Sequence, residues 1–355
     1  MIVFGLVLCG VAILSSAAEG AWQRRDTGYP RRTNTWLLLV AALLIGVASL
    51  RWRVGTDYET YVRLYPQYVA EARQSLALLG EPGLRWIALI ASRIGTGSEG
   101  MFAFAAIITI GLTVRTLWRW SPAFALSAAL YVLSGAWHGS FNGVRQYLAC
   151  AVLFAGHRYI VDRRLLKWAV VVLVAMLFHV SAIVGILMYL VPVRRTSLGV
   201  QTAMVGLGAV GMATMGNILA FLEASTGDTE RWAGEYAQQE VNPLRVAFAF
   251  VPLIVYWFVR GDKYISRHNG WFYVNMLAVY GAVYLASLNS AMVARFASYP
   301  LQFVPLGVAY ATYAQDELNR TALRFGMLLL YATFLYVELS GIGNLRNFRW
   351  LFESA

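Results

Sequence analysis

Apolar residues in this chain come in long blocks rather than in stripes, and that feature decides most of what it can fold into. Ile2–Ala18, Trp36–Leu50, Met101–Val114, Pro122–Trp137, Val144–Val161, Leu198–Leu222, Leu244–Val259, Trp271–Leu288, Phe296–Tyr313 and Leu323–Leu339 carry few or no charges. A helix needs roughly 17–25 such residues to cross the ~30 Å hydrocarbon layer. The shorter blocks reach that length with flanking Trp, Tyr and Arg at headgroup depth. Charged residues are 13% of the 355, well below the ~25% usual in soluble proteins, which leaves too little polar surface for soluble domains. The expectation is an all-α, polytopic transmembrane bundle of about ten spans, with 1–355 as a single membrane domain.

The first block lacks the basic leader of a secretory signal, and its arginines (Arg24, Arg25, Arg31, Arg32) follow the apolar stretch. Both features describe an uncleaved helix whose N-terminus lies outside the cytoplasm. A net charge of +11 ordinarily raises nucleic acid as a partner. Here the basic residues cluster in short loops that alternate with the spans: Arg24/25/31/32, Arg115/119, Arg163/164/Lys167, Arg194/195, Arg260/Lys263/Arg267 and Arg320/324. That is the positive-inside pattern, so membrane lipids and not nucleic acid are the expected surroundings. The two cysteines, Cys9 and Cys150, fall inside apolar blocks and read as small packing residues without a disulfide.

Segment 168–192 is apolar but interrupted by His179 and Ser181. As one span it would put Lys167 and Arg194/Arg195 on opposite sides and reverse every later loop. As a broken, re-entrant pair of half-helices it keeps both basic clusters cytoplasmic, and irregular backbone at depth is tolerated where it lines a cavity. The hairpin is therefore the expected form. It collects polar residues on the outer side: Arg51, Arg53, Asp57, Glu59 and Glu81 from the first outer loop, His138, Asn142 and Arg145 from the 137–145 turn, His179 at the hairpin tip, and Arg295. The outer cations are then all arginine, the better residue for bidentate contact with phosphate.

Within 51–68, Thr56-x-x-Glu59 reads as a capping box that opens a short surface helix. Tyr58, Tyr61, Tyr65 and Tyr68 recur along one face of it. They serve as an interfacial belt or as faces that stack on sugars. Asp57 is either a complement to the helix dipole or a general base beside an anion site flanked by Arg51 and Arg53. In 138–147, Asn142 or Ser140 can cap the next helix. Arg145 in its first turn opposes the dipole, which a snorkelling role does not explain and a phosphate site does. His179 is either a satisfied core histidine or a functional group, because ionisable side chains at membrane depth usually are functional. Gly206-Leu-Gly208-Ala-Val-Gly211 fits the dinucleotide fingerprint but lies inside an apolar helix with no preceding strand, so close helix packing explains it. No cluster has zinc spacing and there is no phosphate-binding loop, so no metal or other cofactor is expected.

Three stretches resemble the EpsG-like family of bacterial polysaccharide polymerases, relatives of the Wzy O-antigen polymerases. They are Arg51–Tyr61 with its Arg-x-x-x-Gly-Thr-Asp-x-x-x-Tyr pattern, Phe141–Ala149 (Phe-Asn-Gly-Val-Arg-Gln-Tyr-Leu-Ala), and Leu177–Ala182 (Leu-Phe-His-Val-Ser-Ala). Glu81-Pro82-Gly83 and Arg295-Phe-Ala-Ser-Tyr299 follow in the expected order. The ending Asn344-Leu-Arg-Asn-Phe-Arg departs from the tyrosine-rich ending of the family. The resemblance implies an exopolysaccharide or O-antigen polymerase at the outer face of the bacterial inner membrane. It moves a growing glycan from undecaprenyl diphosphate to a sugar hydroxyl of a fresh lipid-linked repeat. Implied partners are the undecaprenyl-diphosphate-linked oligosaccharide, a chain-length regulator and other assembly proteins. The implied roles are Asp57 or His179 as base, Arg51, Arg53, Arg145 and Arg295 on the diphosphate, and Tyr58, Tyr61, Glu81, His138, Asn142, Gln146 and Tyr299 against the glycan, with no metal.

Two alternatives stay open on sequence alone. A glycosyltransferase using lipid-phosphate sugars would also carry an acid on its first outer loop, with a metal at Asp57 and Glu59. A flippase for lipid-linked glycan would usually show an internal repeat, and none is visible.

Overall fold

The computed structural model describes residues 2–25, 33–74, 80–226, 239–259, 262–313, 316–341, 345 and 347–353. Of the basic clusters, Arg31, Arg32 and Arg260 lie outside the described residues, as does Asn344 at the C-terminal end. The chain is all-α, with each of the ten apolar blocks forming helix. It divides into two compact units, 1–189 with 321–355, and 190–320.

The first unit contains α1 (Ile2–Arg25), α2 (Thr35–Ser49), α3 (Tyr58–Gln74), α4 (Pro82–Ile94), α5 (Gly97–Trp120), α6 (Phe124–Leu133), α7 (Val144–Gly156) and α8 (Leu165–Met176). Its centre is α5, which packs against α2, α4 and α7, while α1 lies on α2 and α6. The apolar window of α5 is 56% buried, against 28% for α1 and 22% for the helix Glu317–Gly341. On that last helix only Met327, Tyr331, Leu335 and Leu339 turn inward, a stripe of four-residue spacing. Its other faces expose Phe325, Leu329, Tyr336 and Val337. Apolar surface of that extent facing outward is what a lipid environment requires, and the protein is a membrane protein.

Segment 168–192 forms the hairpin. α8 has 12 residues, about 18 Å of rise, too short for a ~30 Å crossing. It ends where His179 turns extended at φ −155° and ψ 123°. The chain then comes back as a 3₁₀ turn (Val180–Val184) and one helical turn (Gly185–Met188). Trp168 Nε1 donates to the Gly185 carbonyl at 2.9 Å. At the open end Arg163 donates to the Tyr189 carbonyl, with its guanidinium 5.3 Å from the Tyr189 ring. Start and finish therefore share one end.

The second unit holds α9 (Leu198–Thr226), α10 (Pro243–Val259, in two segments meeting at Phe250), α11 (Trp271–Ala286) and α12 (Val304–Tyr313). α11 is the enclosed helix here, packed by α9, α10 and α12. A Cβ on Gly208 would collide with the Ala282 carbonyl. The glycine fingerprint is thus a helix-packing feature of α9 against α11, as its apolar context implies.

Candidate active site

The capping box expected at α3 does not close. The Thr56 N–H goes instead to Asn142 Oδ1 at 2.8 Å, and Glu59 pairs with Arg53 Nε at 2.7 Å. Asn142 from a distant turn and Arg53 from the same loop outcompete the Thr56–Glu59 pair. Asp57 is left as the last residue before the helix, its carbonyl accepting from Tyr61 N at 3.1 Å, and its side chain accepts from the Thr56 hydroxyl at 3.2 Å. Asn142 consequently caps nothing on α7. Gly143 precedes that helix without a side-chain cap, and Ser140 Oγ bonds the Trp137 carbonyl. Gly55, at φ 108°, allows this junction, since a Cβ there would meet Asn142 and the Phe141 backbone. From the C-terminal end, Trp52 N bonds Arg349 O at 2.9 Å and Leu351 N bonds Leu50 O at 2.8 Å, clamping the same loop.

Arg51 and Arg53 flank Asp57 in sequence but point to other partners. Arg51 is 4% exposed, with its guanidinium 4.9 Å from the Phe102 ring and 4.8 Å from Phe141, and it bonds the Ala48 carbonyl. Burial pulls this guanidinium down to about 10, against the opposing influence of Tyr58 and Tyr61. Arg53 is exposed at φ 53° and held by Glu59. The tyrosine face turns inward: Tyr58 is stacked on Phe102 at 4.7 Å, and Tyr61 is buried with it. Both rings are core residues in this structure and not an open sugar platform.

The polar groups converge on Glu81. Its Oε2 accepts Arg145 Nη1 at 2.7 Å. Its Oε1 accepts His179 Nδ1 at 2.8 Å and the Val180 N–H at 2.7 Å. Burial alone would push the Glu81 carboxyl up, but the bonds from His179 and Val180 and the charge of Arg145 outweigh it and hold the group below the ordinary carboxylate range. Glu81 sits in the left-handed region at φ 60° and ψ 58°, a conformation costing about 1–3 kcal/mol for a non-glycine residue and concentrated at functional sites. Pro82 follows as the first residue of α4, and Gly83 N bonds the Leu177 carbonyl at 2.7 Å. Any Cβ on Gly83 would strike the Phe178 ring. The start of α4 and the hairpin tip are therefore locked together, which holds His179 against the carboxylate.

Arg145 extends the cluster. It hydrogen-bonds the Tyr61 phenol, whose burial pushes it up against the opposing pull of that guanidinium, and Tyr68 lies within the same electrostatic neighbourhood. Asp57, one turn before Tyr61 on α3, acts on that phenol as well. Four segments thus meet: 55–68, 81–83, 142–145 and 177–180. A carboxylate that is ionised only accepts, so Nδ1 of His179 is the donor to Glu81, and Nε2 is the ring nitrogen that this carboxylate does not engage. Arg145 keeps 40% of its side chain exposed and His179 26%, whereas Glu81 keeps 14%. Arg145 and His179 are thus accessible, and the carboxylate that holds them is enclosed.

His138 is 4% exposed with its ring edge-on to Phe4, and Gln146 is buried on α7. Arg295 is exposed at a 3₁₀ turn of the second unit and Tyr299 is buried next to it. Sequence reasoning did not find Glu81 as the hub, nor Tyr68 and the Val180 amide beside it. The αL turn before Pro82 has no local signature, because its cause is a pair of distant partners.

A model of the EpsG family matches residues 34–351, a span that includes all four converging segments. Neither the curated proteins nor the solved structures provide a match.

Proposed function

This chain belongs to the EpsG family, a membership that supports a role in polysaccharide polymerisation, and from that premise we propose that it extends lipid-linked glycan at the outer face of the bacterial inner membrane. The observation that carries this reading is the Glu81 carboxylate holding Arg145 and His179 at 2.7 and 2.8 Å. In the proposed reaction an acceptor sugar hydroxyl attacks the anomeric carbon of the growing chain. The bond from that carbon to the undecaprenyl diphosphate oxygen breaks, and the diphosphate leaves with the electron pair. His179 Nε2 takes the hydroxyl proton, and the remaining donors of Arg145 neutralise the charge developing on the diphosphate. Glu81 fixes the histidine tautomer and stabilises the imidazolium that forms, the role an enclosed carboxylate plays beside a catalytic histidine.

Asp57 is the second carboxylate near the cluster. Its side chain accepts the Thr56 hydroxyl, whereas His179 is held in orientation by the Glu81 carboxylate, so His179 is the better base. The positive charge supplied by Arg145 makes a metal unnecessary for the leaving group, which sets this reading apart from a metal-dependent glycosyltransferase. The test is chain extension by the purified full chain on lipid-linked repeats, with and without a chelator. Arg145→Lys keeps the charge and loses the planar fork, so extension is expected to fall by about 10²-fold, the effect of losing one oriented donor to developing charge. Chelator should leave the rate unchanged. Full activity in Arg145→Lys, or loss with chelator, overturns the assignment.

A further inference from the structure

The second unit contains a cavity that the proposed chemistry does not use. It measures about 380 Å³ and opens where α9 begins and α10 ends, lined by Arg195, Ser197, Gln201, Tyr256, Trp257 and Asp262 among others. That is within the range of small-ligand sites, about 300–1,000 Å³. Its polar frame is fully built. The Asn275 amide, buried on α11, donates to the Pro192 and Arg194 carbonyls at 2.8 and 3.1 Å. Asn275 Oδ1 accepts the Thr196 hydroxyl at 2.6 Å and Gln201 Nε2 at 3.2 Å. Gln201, 1% exposed, in turn accepts Trp257 Nε1 at 2.6 Å. These bonds are internal, so they shape the walls and leave recognition to the rim.

At the rim Arg195 pairs with Asp262 through Nη2 alone, and a guanidinium has five N–H donors to offer. Asp262 Oδ1 also accepts the Tyr256 hydroxyl at 3.3 Å. The two segments that meet here, 194–197 and 262–267, carry Arg194, Arg195, Lys263 and Arg267 in their sequence against the single acid Asp262. Such a basic excess marks the cytoplasmic interface. Basic pockets between helices on that side take the anionic head groups of lipids. Trp257 and Tyr256 are the aromatic residues expected at headgroup depth.

We propose that this cavity binds a phosphate group, with Arg195 as its anchoring cation and Asp262 as the acid that holds Arg195 in place and restrains the affinity. The site is independent of the glycan-transfer reading. The chemistry is shared by the head group of an anionic phospholipid and by soluble phosphate, and the experiment separates the two. Full-length protein is placed in phosphatidylcholine nanodiscs. Phosphatidylglycerol is titrated in one arm with native mass spectrometry as readout, and inorganic phosphate in the other with calorimetry. Thermal melting in plain phosphatidylcholine checks that each variant is folded.

Wild type is expected to take up one of the two probes, and Arg195→Gln to bind it about fivefold more weakly, the usual contribution of one basic residue at an anionic surface. Asp262→Asn, which removes the opposing carboxylate, is expected to bind more tightly than wild type. A merely structural ion pair predicts instead that both variants lose binding alike. Retention of phosphatidylglycerol identifies a lipid head group, and uptake of inorganic phosphate a soluble ligand. Equal binding by wild type and Arg195→Gln, or weaker binding by Asp262→Asn, overturns the proposal.

Discussion

Glu81 shows how one side chain can join functions that the sequence scatters. Its partners lie 64 and 98 residues further along the chain, and each supplies a different requirement: charge from Arg145, a proton acceptor from His179. The carboxylate is held below its ordinary range, so the direction of its pH effect follows. Its contribution to stability is complete above the unfolded carboxylate value of about 4.3 and is lost as pH falls through the lower folded value. Thermal melting of wild type should therefore drop as pH goes from about 5 to below 4, by more than in Glu81→Gln, which has no carboxylate to protonate there. Parallel curves for the two proteins would mean that the bonds to Arg145, His179 and Val180 add nothing in solution.

The hairpin is the element on which the site depends. A clash between any side chain at Gly83 and the Phe178 ring means that Gly83→Val should separate α4 from the hairpin tip, at about 1–3 kcal/mol of overpacking. Phe178→Ala in the same chain should recover part of that loss, which melting of the two variants and their combination would measure. Failure of the second change to relieve the first would place the strain elsewhere. Much of this element was legible in sequence, because 168–192 is interrupted by His179 and Ser181 and carries basic residues at both ends. The α3 cap was not. Thr56 and Glu59 satisfy the local pattern, yet Asn142, 86 residues away, takes the Thr56 amide and Arg53 takes Glu59. A local rule cannot anticipate a tertiary partner with better geometry.

Across the whole molecule, the apolar blocks were readable because burial in lipid demands length and hydrophobicity whatever the neighbours are. The site was readable only in its members: Asp57, Arg145 and His179 stand on segments that do converge, while the buried Arg51 cage and the inward tyrosines follow from packing against Phe102 and Phe141 that no spacing encodes. Orientation in the membrane has its own test. With the hairpin returning to its starting end, cysteines introduced at 194–197 and 262–266 should react with impermeant reagent only from the cytoplasmic side. Labelling of 262–266 from outside would reverse the assignment of the basic loops.

The central claim is that Glu81 and His179 act as one unit in glycan transfer, and a double-mutant cycle on chain extension tests it most directly. His179→Ala should reduce extension by about 10²–10⁴-fold, the usual range for a general base, with lipid-linked substrate still bound through Arg145. If Glu81 works through His179, Glu81→Gln alone should lower the rate, and adding it to His179→Ala should lower the rate little further, because residues acting as a unit are strongly non-additive. Near-normal extension by a folded His179→Ala protein, with the loss appearing instead in Asp57→Asn, would contradict the claim and move the base to the first outer loop.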